Sequence, residues 1–303
     1  MIKPTPLQKG DTIGIAAPAS PFDRAEFEKG IQALTHLGFR TKYREDLFST
    51  QRYLAGSDAR RSTELLQHFA DPEVKAIFFA RGGYGTARLL PYLSDASLKP
   101  YPKIVMGYSD MTTLLLHLHQ RFSWVVFHGP VVAKGMGDGF GERGRKSLLR
   151  ALCNPEPLGE IRDDSILYLK EGKARGILVG GCLSILVTDL KTPEELNTAG
   201  KILFLEDVNE KPYAIDRMLT HLKRAGKFEK TKGLVFGPFQ NSGHSPEEVK
   251  AVIEDVLEDL KIPIVFGFPS GHMDDMMTIP FGVEVELDST QGSVRFVEGA
   301  LQA

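Results

Sequence analysis

The sequence predicts an α/β protein of two domains, and three observations carry that prediction. From residue 11 onward, short apolar segments alternate with amphipathic segments at helical spacing, which is typical of a parallel, doubly wound sheet. The Pro-rich segment 154–159 interrupts this alternation, and strands dominate after it. The 303 residues, 42% of them hydrophobic, are enough for two cores. We therefore expect an N-terminal α/β domain over residues 1–155 and a β-rich, mixed C-terminal domain over residues 165–303.

Each predicted element depends on the spacing of its apolar residues. Alternation with a period of two, or a short apolar run between turn residues, indicates a strand, and a period near 3.6 indicates a helix. In the N-terminal domain this predicts strands at 12–17, 40–43, 76–80, 103–107 and 124–128, and helices at 24–37, 55–69, 85–93, 112–120 and 144–152. In the C-terminal domain it predicts strands at 166–169, 174–179, 201–206, 233–236, 264–267, 283–287 and 293–297, and helices at 213–225 and 246–260.

Three conspicuous loops of the N-terminal domain follow predicted strands. They are the segment 17–20, the glycine-rich segment 81–85 and the turn that contains Ser109. Ligands of parallel α/β sheets bind beyond the carboxyl ends of the strands. We therefore expect the three loops to lie together on one rim of the sheet.

Composition excludes several classes of function. The 37 Lys and Arg residues nearly balance the 39 Asp and Glu residues, and no long basic run is present, so nucleic acid is not an expected partner. No apolar segment resembles a signal peptide or reaches the length of a membrane span, which makes the cytoplasm the expected location. Cys153 and Cys182 form no Cys-x-x-Cys pair, and His117 and His119 point to nearly opposite faces of a predicted helix. We therefore expect no metal site.

Ser109 has the surroundings of a nucleophile. The apolar strand 103–107 ends in Gly107-Tyr108-Ser109, and a helix begins at once. A strand-to-helix turn this short strains the backbone at the serine, points Oγ away from the sheet and leaves the N–H of Asp110 available at the start of the helix. Met111 replaces the second glycine of a full Gly-x-Ser-x-Gly elbow, so a second interpretation stays open, in which Ser109 or Asp110 caps the helix.

A nucleophilic serine needs a general base, and the base needs an acid that orients it. His272 lies in a loop rich in Gly and Pro just after an apolar strand, and Glu206 ends the strand 201–206. Each residue also has a simpler interpretation. His272 could face solvent or cap a helix, and Glu206 could cap a helix or form an ion pair.

The loop Arg81-Gly82-Gly83-Tyr84-Gly85 suits the binding of an anion or oxyanion. Consecutive glycines let a ligand approach the backbone closely and expose N–H groups, and Arg81 suits a substrate carboxylate. The loop is not a Gly-x-Gly-x-x-Gly fingerprint, so it gives dinucleotide binding little support. A plain glycine-rich turn remains the alternative.

Together, these segments resemble the LD-carboxypeptidase family. The resemblance is carried by the turn 107–110, the glycine loop 81–85, the segments 204–213 and 216–219, and Gly271-His272, in matching order and spacing. It extends over nearly the whole chain, from the segment 14–20 to the segment 278–282.

The resemblance implies a serine peptidase that removes the terminal D-alanine from murein tetrapeptides in cytoplasmic cell-wall recycling. It implies Ser109 as nucleophile, His272 as general base and Glu206 as the orienting acid. The backbone N–H groups of Gly83 and Asp110 would form the oxyanion hole, and no metal or other cofactor is required. The implied fold is a flavodoxin-like or class I glutaminase-like N-terminal domain with a β-rich C-terminal domain, and the implied assembly is a homodimer.

Substrate contacts are expected from Arg81, Gly82 and Tyr84. The sequence departs from the family where Cys182 stands at a position that is often asparagine and where Ala214 replaces a frequent arginine. The run 273–277 also differs, and its acids could contact a substrate ammonium group or face solvent. Cys182 has no base paired with it in the sequence, so we expect a buried, inert thiol.

Two other functions stay open. A microcin-immunity protein of the same family would use the same triad on an aminoacyl or peptidyl nucleotide, and an aromatic platform for adenine would be expected in it. Trp124, the one tryptophan, lies on a predicted buried strand, which argues against such a platform. A non-catalytic protein that holds an anionic peptide or nucleotide is the second alternative. The sequence does not distinguish meso-diaminopimelate from lysine in a murein substrate.

Overall fold

The computed structural model describes residues 1–98, 102–137 and 140–303. The chain divides into two compact units. The first contains Met1–Pro155, Asp274–Pro280 and Ala300–Ala303, and the second contains Glu156–Met273 and Phe281–Gly299. Two segments from late in the sequence therefore belong to the first unit.

The secondary structure alternates through the first half of the chain and is richer in strands in the second. The strands are β1 (Thr12–Ala16), β2 (Arg40–Lys42), β3 (Val74–Phe79), β4 (Ile104–Gly107), β5 (Val126–His128), β6 (Gly159–Arg162), β7 (Leu167–Lys170), β8 (Lys173–Cys182), β9 (Ile202–Val208), β10 (Gly233–Gln240), β11 (Ile264–Phe266), β12 (Ile279–Phe281), β13 (Glu284–Asp288) and β14 (Ser293–Phe296). The α-helices are α1 (Arg24–His36), α2 (Asp58–Ala70), α3 (Asp95–Leu98), α4 (Thr112–Phe122), α5 (Glu142–Cys153), α6 (Leu183–Thr188), α7 (Pro212–Arg224) and α8 (Pro246–Val256).

The first sheet has six strands in the order β12-β5-β4-β3-β1-β2. Neighbouring strands from β5 to β2 pair in parallel, so their carboxyl ends meet at one edge. The loops that follow β1, β3 and β4 lie there, and the N–H of Ser20 donates to the carbonyl of Gly82 over 3.3 Å. The predicted common rim is confirmed. All residues of β1 and β4 are buried, which explains why the sequences of these strands are almost continuously apolar.

A buried ion pair lies beneath this rim. The side chain of Glu64, on α2, is fully buried, and its Oε1 accepts a 2.8 Å hydrogen bond from Arg60. Its Oε2 accepts a 2.8 Å hydrogen bond from the N–H of Ala17, at the end of β1. Burial outweighs the attraction of Arg60 and raises the pKa of Glu64 from 4.5 to about 7. Because the folded state holds this proton more tightly than the unfolded state, the contribution of Glu64 to stability falls as the pH rises from about 4.5 through about 7.

Replacing Glu64 with glutamine should therefore flatten the dependence of stability on pH. At about 1.36 kcal/mol per pH unit, the change that titration of Glu64 causes in the wild type is on the order of 3 kcal/mol. Urea unfolding of the wild type and of Glu64→Gln at pH 5 and pH 8 measures it. The same change at the exposed Glu28 provides the control. If stability changed equally with pH in the wild type and in Glu64→Gln, the raised pKa of Glu64 would be contradicted.

The second sheet has eight strands in the order β6-β14-β13-β8-β9-β10-β11-β7. The central strands β8 to β11 pair in parallel, and antiparallel strands flank them on both sides. This mixed sheet, together with the parallel first sheet, confirms the predicted α/β class. The last residues of β9 lie at the carboxyl edge of the parallel strands, beside the loops that follow β10 and β11.

Some local elements of the structure differ from the predicted ones or were not predicted. The segment predicted as a helix at 85–93 is a 3₁₀ helix, Ala87–Tyr92, because Pro91 within it has no N–H to continue an α-helix. Strand β6 begins within the Pro-rich break. Helix α6 has six residues and β12 three, too short for either to show a clear periodicity.

Within residues 1–98, 102–137 and 140–303, every helix falls short of the length and hydrophobicity that crossing a bilayer requires.

Candidate active site

The turn that contains Ser109 has the backbone strain that its short length predicts. Strand β4 ends at Gly107, and Ser109 has a φ of 62°, in the left-handed region that a non-glycine residue rarely occupies. A 3₁₀ turn over Ser109–Met111 then leads directly into α4. A left-handed conformation costs an L-residue roughly 1–2 kcal/mol, so the rest of the fold must hold this one in place.

Neither Ser109 nor Asp110 acts as a helix cap. Tyr108 occupies the N-cap position of the 3₁₀ turn, and Met111 occupies that of α4. Neither of these side chains makes a capping hydrogen bond. The carboxyl of Asp110 turns away to the glycine loop, where its Oδ2 accepts hydrogen bonds from Thr86 N (2.8 Å) and Thr86 Oγ1 (2.6 Å). The interpretation of this motif as a simple cap is therefore wrong.

The glycine loop packs directly on Ser109. A Cβ atom at Gly82 would lie 3.0 Å from Ser109 Cβ and 3.1 Å from its Oγ, so a side chain there would press on the serine. Gly83 faces Ser20 instead, since a Cβ at Gly83 would lie 2.3 Å from Ser20 Oγ. The same hydroxyl accepts a 3.2 Å hydrogen bond from Tyr84 N. A side chain at Gly82 would therefore meet Ser109, whereas a side chain at Gly83 would meet Ser20.

Arg81 and Tyr84 are both exposed at this loop. One guanidinium nitrogen of Arg81, Nη1, donates to the carbonyl of Pro21 over 2.8 Å. Tyr84 is 50% exposed and Tyr53 is 52% exposed, and their ring centroids lie 5.9 Å apart. The predicted substrate contacts of Arg81, Gly82 and Tyr84 stay predictions.

Glu206 and His272 meet in the second unit. Glu206 lies near the carboxyl end of β9, fully buried, and His272 lies in the loop that follows β11. His272 Nδ1 is 2.7 Å from Glu206 Oε2, which also accepts a 2.9 Å hydrogen bond from the N–H of His272. Because the carboxylate accepts, the proton belongs on Nδ1, and Nε2 keeps its lone pair. The pair holds the ring in the tautomer that a general base requires.

Two glycines make room for this pair. Gly271 has a φ of 118°, and a Cβ atom on it would lie 2.6 Å from Glu206 Oε2. Gly237, on the adjacent strand β10, leaves space for Glu206, since its Cβ would lie 3.0 Å from that of Glu206 and 2.5 Å from the carbonyl oxygen of Ser270. The predicted motif Gly271-His272 thus has a steric reason. Gly237 gave no signal in the sequence.

The neighbours of Glu206 are buried and polar. Asp207 Oδ2 accepts a 2.7 Å hydrogen bond from Ser184 N, and burial, followed by the adjacent Glu206, raises the pKa of Asp207. Cys182 is aligned with Glu206 on the adjacent strand β8, and its Sγ lies 3.4 Å from Asp207 Oδ1. Burial raises the pKa of the Cys182 thiol well above its ordinary value. The burial expected of Cys182 is confirmed, and a raised thiol pKa is what an inert cysteine requires.

The acids of the segment 273–277 do not share one role. Asp274 is exposed, whereas Asp275 accepts hydrogen bonds at the start of α5, from Gly144 N over 2.7 Å and Arg143 N over 3.1 Å. This role of Asp275 was in neither sequence interpretation, a contact to a substrate ammonium group or a solvent-facing acid. Its carboxylate stabilises the N-terminus of a helix.

Histidines away from this site have structural partners. His119 is buried on α4, and its Nδ1 lies 3.0 Å from the carbonyl oxygen of Trp124. In the part of the chain that the structure describes, no three His, Cys, Asp or Glu residues are grouped as metal ligands would be.

Comparison with protein families gives two matches. The model of the LD-carboxypeptidase N-terminal domain matches residues 13–129, and that of the LD-carboxypeptidase C-terminal domain matches residues 175–287. A probable murein peptide carboxypeptidase of Bacillus subtilis (strain 168) is 37% identical over 294 residues, which cover 95% of this chain and 92% of the relative.

Solved structures show the same fold. A muramoyltetrapeptide carboxypeptidase from Oxalobacter formigenes is 28% identical, with a TM-score of 0.85 over 96% of this chain and 100% of that chain. The structure of MccF in complex with glutamyl sulfamoyl guanosine has a TM-score of 0.93 over 100% of both chains at 23% identity, which shows the fold alone. With both domain models matched and a relative similar over nearly its whole length, the chain belongs to the LD-carboxypeptidase family.

Proposed function

We propose that this chain is a serine LD-carboxypeptidase that releases the terminal D-alanine from murein tetrapeptides. The observation that carries the proposal is the 2.7 Å hydrogen bond between Glu206 and His272, which prepares the imidazole to accept a proton at Nε2. The strained turn at Ser109 supports it, because this backbone is typical of an activated serine. The similarity to the probable murein peptide carboxypeptidase of Bacillus subtilis supports the substrate class.

In the proposed reaction, Ser109 Oγ attacks the carbonyl carbon that precedes D-alanine while His272 Nε2 accepts the hydroxyl proton. The resulting oxyanion accepts hydrogen bonds from the backbone N–H groups of Asp110 and Gly83. His272 then donates the proton to the departing amine of D-alanine, which leaves an ester on Ser109. A water molecule, deprotonated by His272, hydrolyses that ester and returns Ser109 to its hydroxyl form. Glu206 stabilises the imidazolium in both steps.

Recognition of the substrate carboxylate is assigned to Arg81. Its side chain is exposed beside the glycine loop, and the contact to Pro21 occupies one of its nitrogen atoms. A guanidinium group binds a carboxylate through two parallel hydrogen bonds, which suits an enzyme that removes a C-terminal residue. A homodimeric, cytoplasmic enzyme remains part of this proposal.

One observation favours a second function, the cleavage of an aminoacyl nucleotide. Trp124 is 1% exposed and cannot stack on a base, but Tyr53 and Tyr84 form an exposed aromatic pair beside the glycine loop. Such a surface could hold a planar ring. The two functions share a catalytic mechanism and differ in what the leaving group carries.

Release of D-alanine from a murein tetrapeptide tests the proposal. The panel contains the tetrapeptide ending in D-alanine, the same peptide ending in L-alanine, and an aminoacyl sulfamoyl adenosine, each with and without EDTA. We expect hydrolysis of the first substrate alone, with D-alanine released at the same rate with and without EDTA. Hydrolysis of the nucleotide conjugate alone would favour the second function, and no hydrolysis of any substrate would contradict both.

A further inference from the structure

A single peptide group in the glycine loop is held from both sides by buried charged side chains. It joins Gly85 to Thr86. Its N–H donates to Asp110 Oδ2 over 2.8 Å, and its carbonyl accepts a 2.9 Å hydrogen bond from Arg61 Nη1. Asp110 is 4% exposed, and Arg61 and Thr86 are 0% exposed. Two buried groups of opposite charge thus fix the orientation of this peptide plane.

Each of the two charges has further partners on the same rim. Arg61 Nη1 also donates to the carbonyl of Pro18, and its Nη2 pairs with Asp58. Asp110 Oδ2 accepts a second bond from Thr86 Oγ1, over 2.6 Å. A buried charge is costly unless it is hydrogen-bonded, so these contacts are needed for either side chain to be buried here.

The held peptide is close to the proposed oxyanion donors. Gly82 and Gly83 lie three and two residues before Gly85, and Gly82 packs against Ser109. Peptide planes between glycines rotate more easily than others because no Cβ restricts φ and ψ. An oxyanion donor must point at the developing charge before the reaction begins, since reorientation during catalysis lowers its effect. The loop therefore needs an anchor close to these N–H groups.

Asp110 is well placed to be that anchor, because it follows the nucleophile directly. Its backbone N–H is one proposed oxyanion donor, while its carboxyl holds the loop that supplies the other. Thr86 and Asp110, 24 positions apart in the sequence, are thereby joined by hydrogen bonds next to Ser109. Burial raises the pKa of this carboxyl, and the bonds from Thr86 oppose the rise.

We propose that the Asp110 side chain is a positioning residue of the oxyanion hole, which acts by holding the Gly85–Thr86 peptide and so fixes the N–H groups of the glycine loop beside Ser109. The inference rests on the proposed function, since it concerns the same reaction. It differs from a purely structural role because it predicts an effect on the transition state that exceeds any effect on substrate binding or folding.

The test replaces Asp110 with asparagine, which has nearly the same shape and no charge. The variant keeps one side-chain oxygen that can accept the hydrogen bonds from Thr86. The amide NH₂ group can take the place of that oxygen, and it cannot accept them. We expect kcat for D-alanine release to fall about 100-fold, as for the loss of one oxyanion donor, with KM changed by less than about 3-fold. Thr86→Val removes only the hydrogen bond from the Thr86 hydroxyl to Asp110. We expect kcat to fall about 5- to 10-fold, which is the size of effect that the loss of one hydrogen bond has.

Combining the two substitutions tests whether they act through the same contact. The double variant should be little slower than Asp110→Asn alone, because each change breaks the same link. The control is Glu64→Gln, which alters another buried carboxyl that accepts a backbone N–H in the same unit. It should change stability and leave kcat within about 2-fold, as expected for a residue outside the reaction.

The rate at which a fluorophosphonate labels Ser109 separates this inference from the proposed function. Its phosphoryl oxygen requires the same oxyanion donors but no murein peptide. If the wild type releases no D-alanine, a labelling rate about 100-fold lower in Asp110→Asn still supports the positioning role. A kcat or labelling rate within 3-fold of wild type in Asp110→Asn, or a change in KM alone, would overturn it. If Asp110→Asn does not fold, an unchanged kcat and labelling rate in Thr86→Val would overturn it.

Discussion

Replacing Ser109 with alanine is expected to lower the rate of D-alanine release by roughly 10⁴- to 10⁶-fold, the usual cost of removing a catalytic serine. The variant loses the oxygen that forms the ester and keeps every other group of the proposed site. Residual release, if measurable, would come from binding and from the oxyanion donors. Steady-state release of D-alanine, followed with a coupled D-amino acid oxidase assay, measures the loss.

The backbone at Ser109 offers a matched control for folding. At a φ of 62°, alanine retains the strain and glycine relieves it. We expect Ser109→Gly to be as inactive as Ser109→Ala but more stable, by about 1 kcal/mol. Activity above one-tenth of wild type in either variant, with the thermal midpoint preserved, would show that Ser109 is not the nucleophile.

Removing the imidazole is expected to have an effect of similar size. His272→Ala should reduce kcat by roughly 10⁴- to 10⁶-fold, because the proposed mechanism then lacks its general base. It also leaves the fully buried Glu206 without its 2.7 Å side-chain partner, so the variant should be less stable by about 1–3 kcal/mol. Release assays and urea unfolding on the same preparation measure both effects.

Asparagine at position 272 separates catalysis from folding. Its amide can donate to Glu206 from near the place of Nδ1, but it has no atom at the position of Nε2. His272→Asn should therefore regain stability relative to His272→Ala and stay inactive. Glu206→Gln, which permits the wrong tautomer, should lose somewhat less activity, about 10⁴-fold. Substantial activity in His272→Asn would refute the role of Nε2.

The parts of the site that the sequence predicts are those carried by short, contiguous patterns. Strand β4 followed at once by a helix predicts the strain at Ser109, which the left-handed φ confirms. Gly271-His272 after an apolar strand predicts an unusual backbone, and Gly271 has a φ of 118°. Both features depend on residues within a few positions of one another, so local stereochemistry is sufficient to predict them.

Contacts between distant segments lie beyond such reasoning. The link from Asp110 to Thr86 spans 24 residues, and the cap of α5 by Asp275 spans 131 residues from Gly144. Neither acid has a neighbour in the sequence that distinguishes it from a solvent-facing residue. The steric need for Gly237 depends on the pairing of β10 with β9, which the sequence does not state. Local patterns thus predict the reactive groups better than the residues that hold them.

The most direct test of the account is the site and the rate of covalent labelling by a fluorophosphonate, followed by intact mass and peptide mapping. We expect one adduct, on Ser109, formed by the wild type in EDTA and formed several orders of magnitude more slowly by His272→Ala. An adduct on another residue, or labelling of Ser109 at the same rate with and without His272, would contradict a serine nucleophile activated by the Glu206–His272 pair.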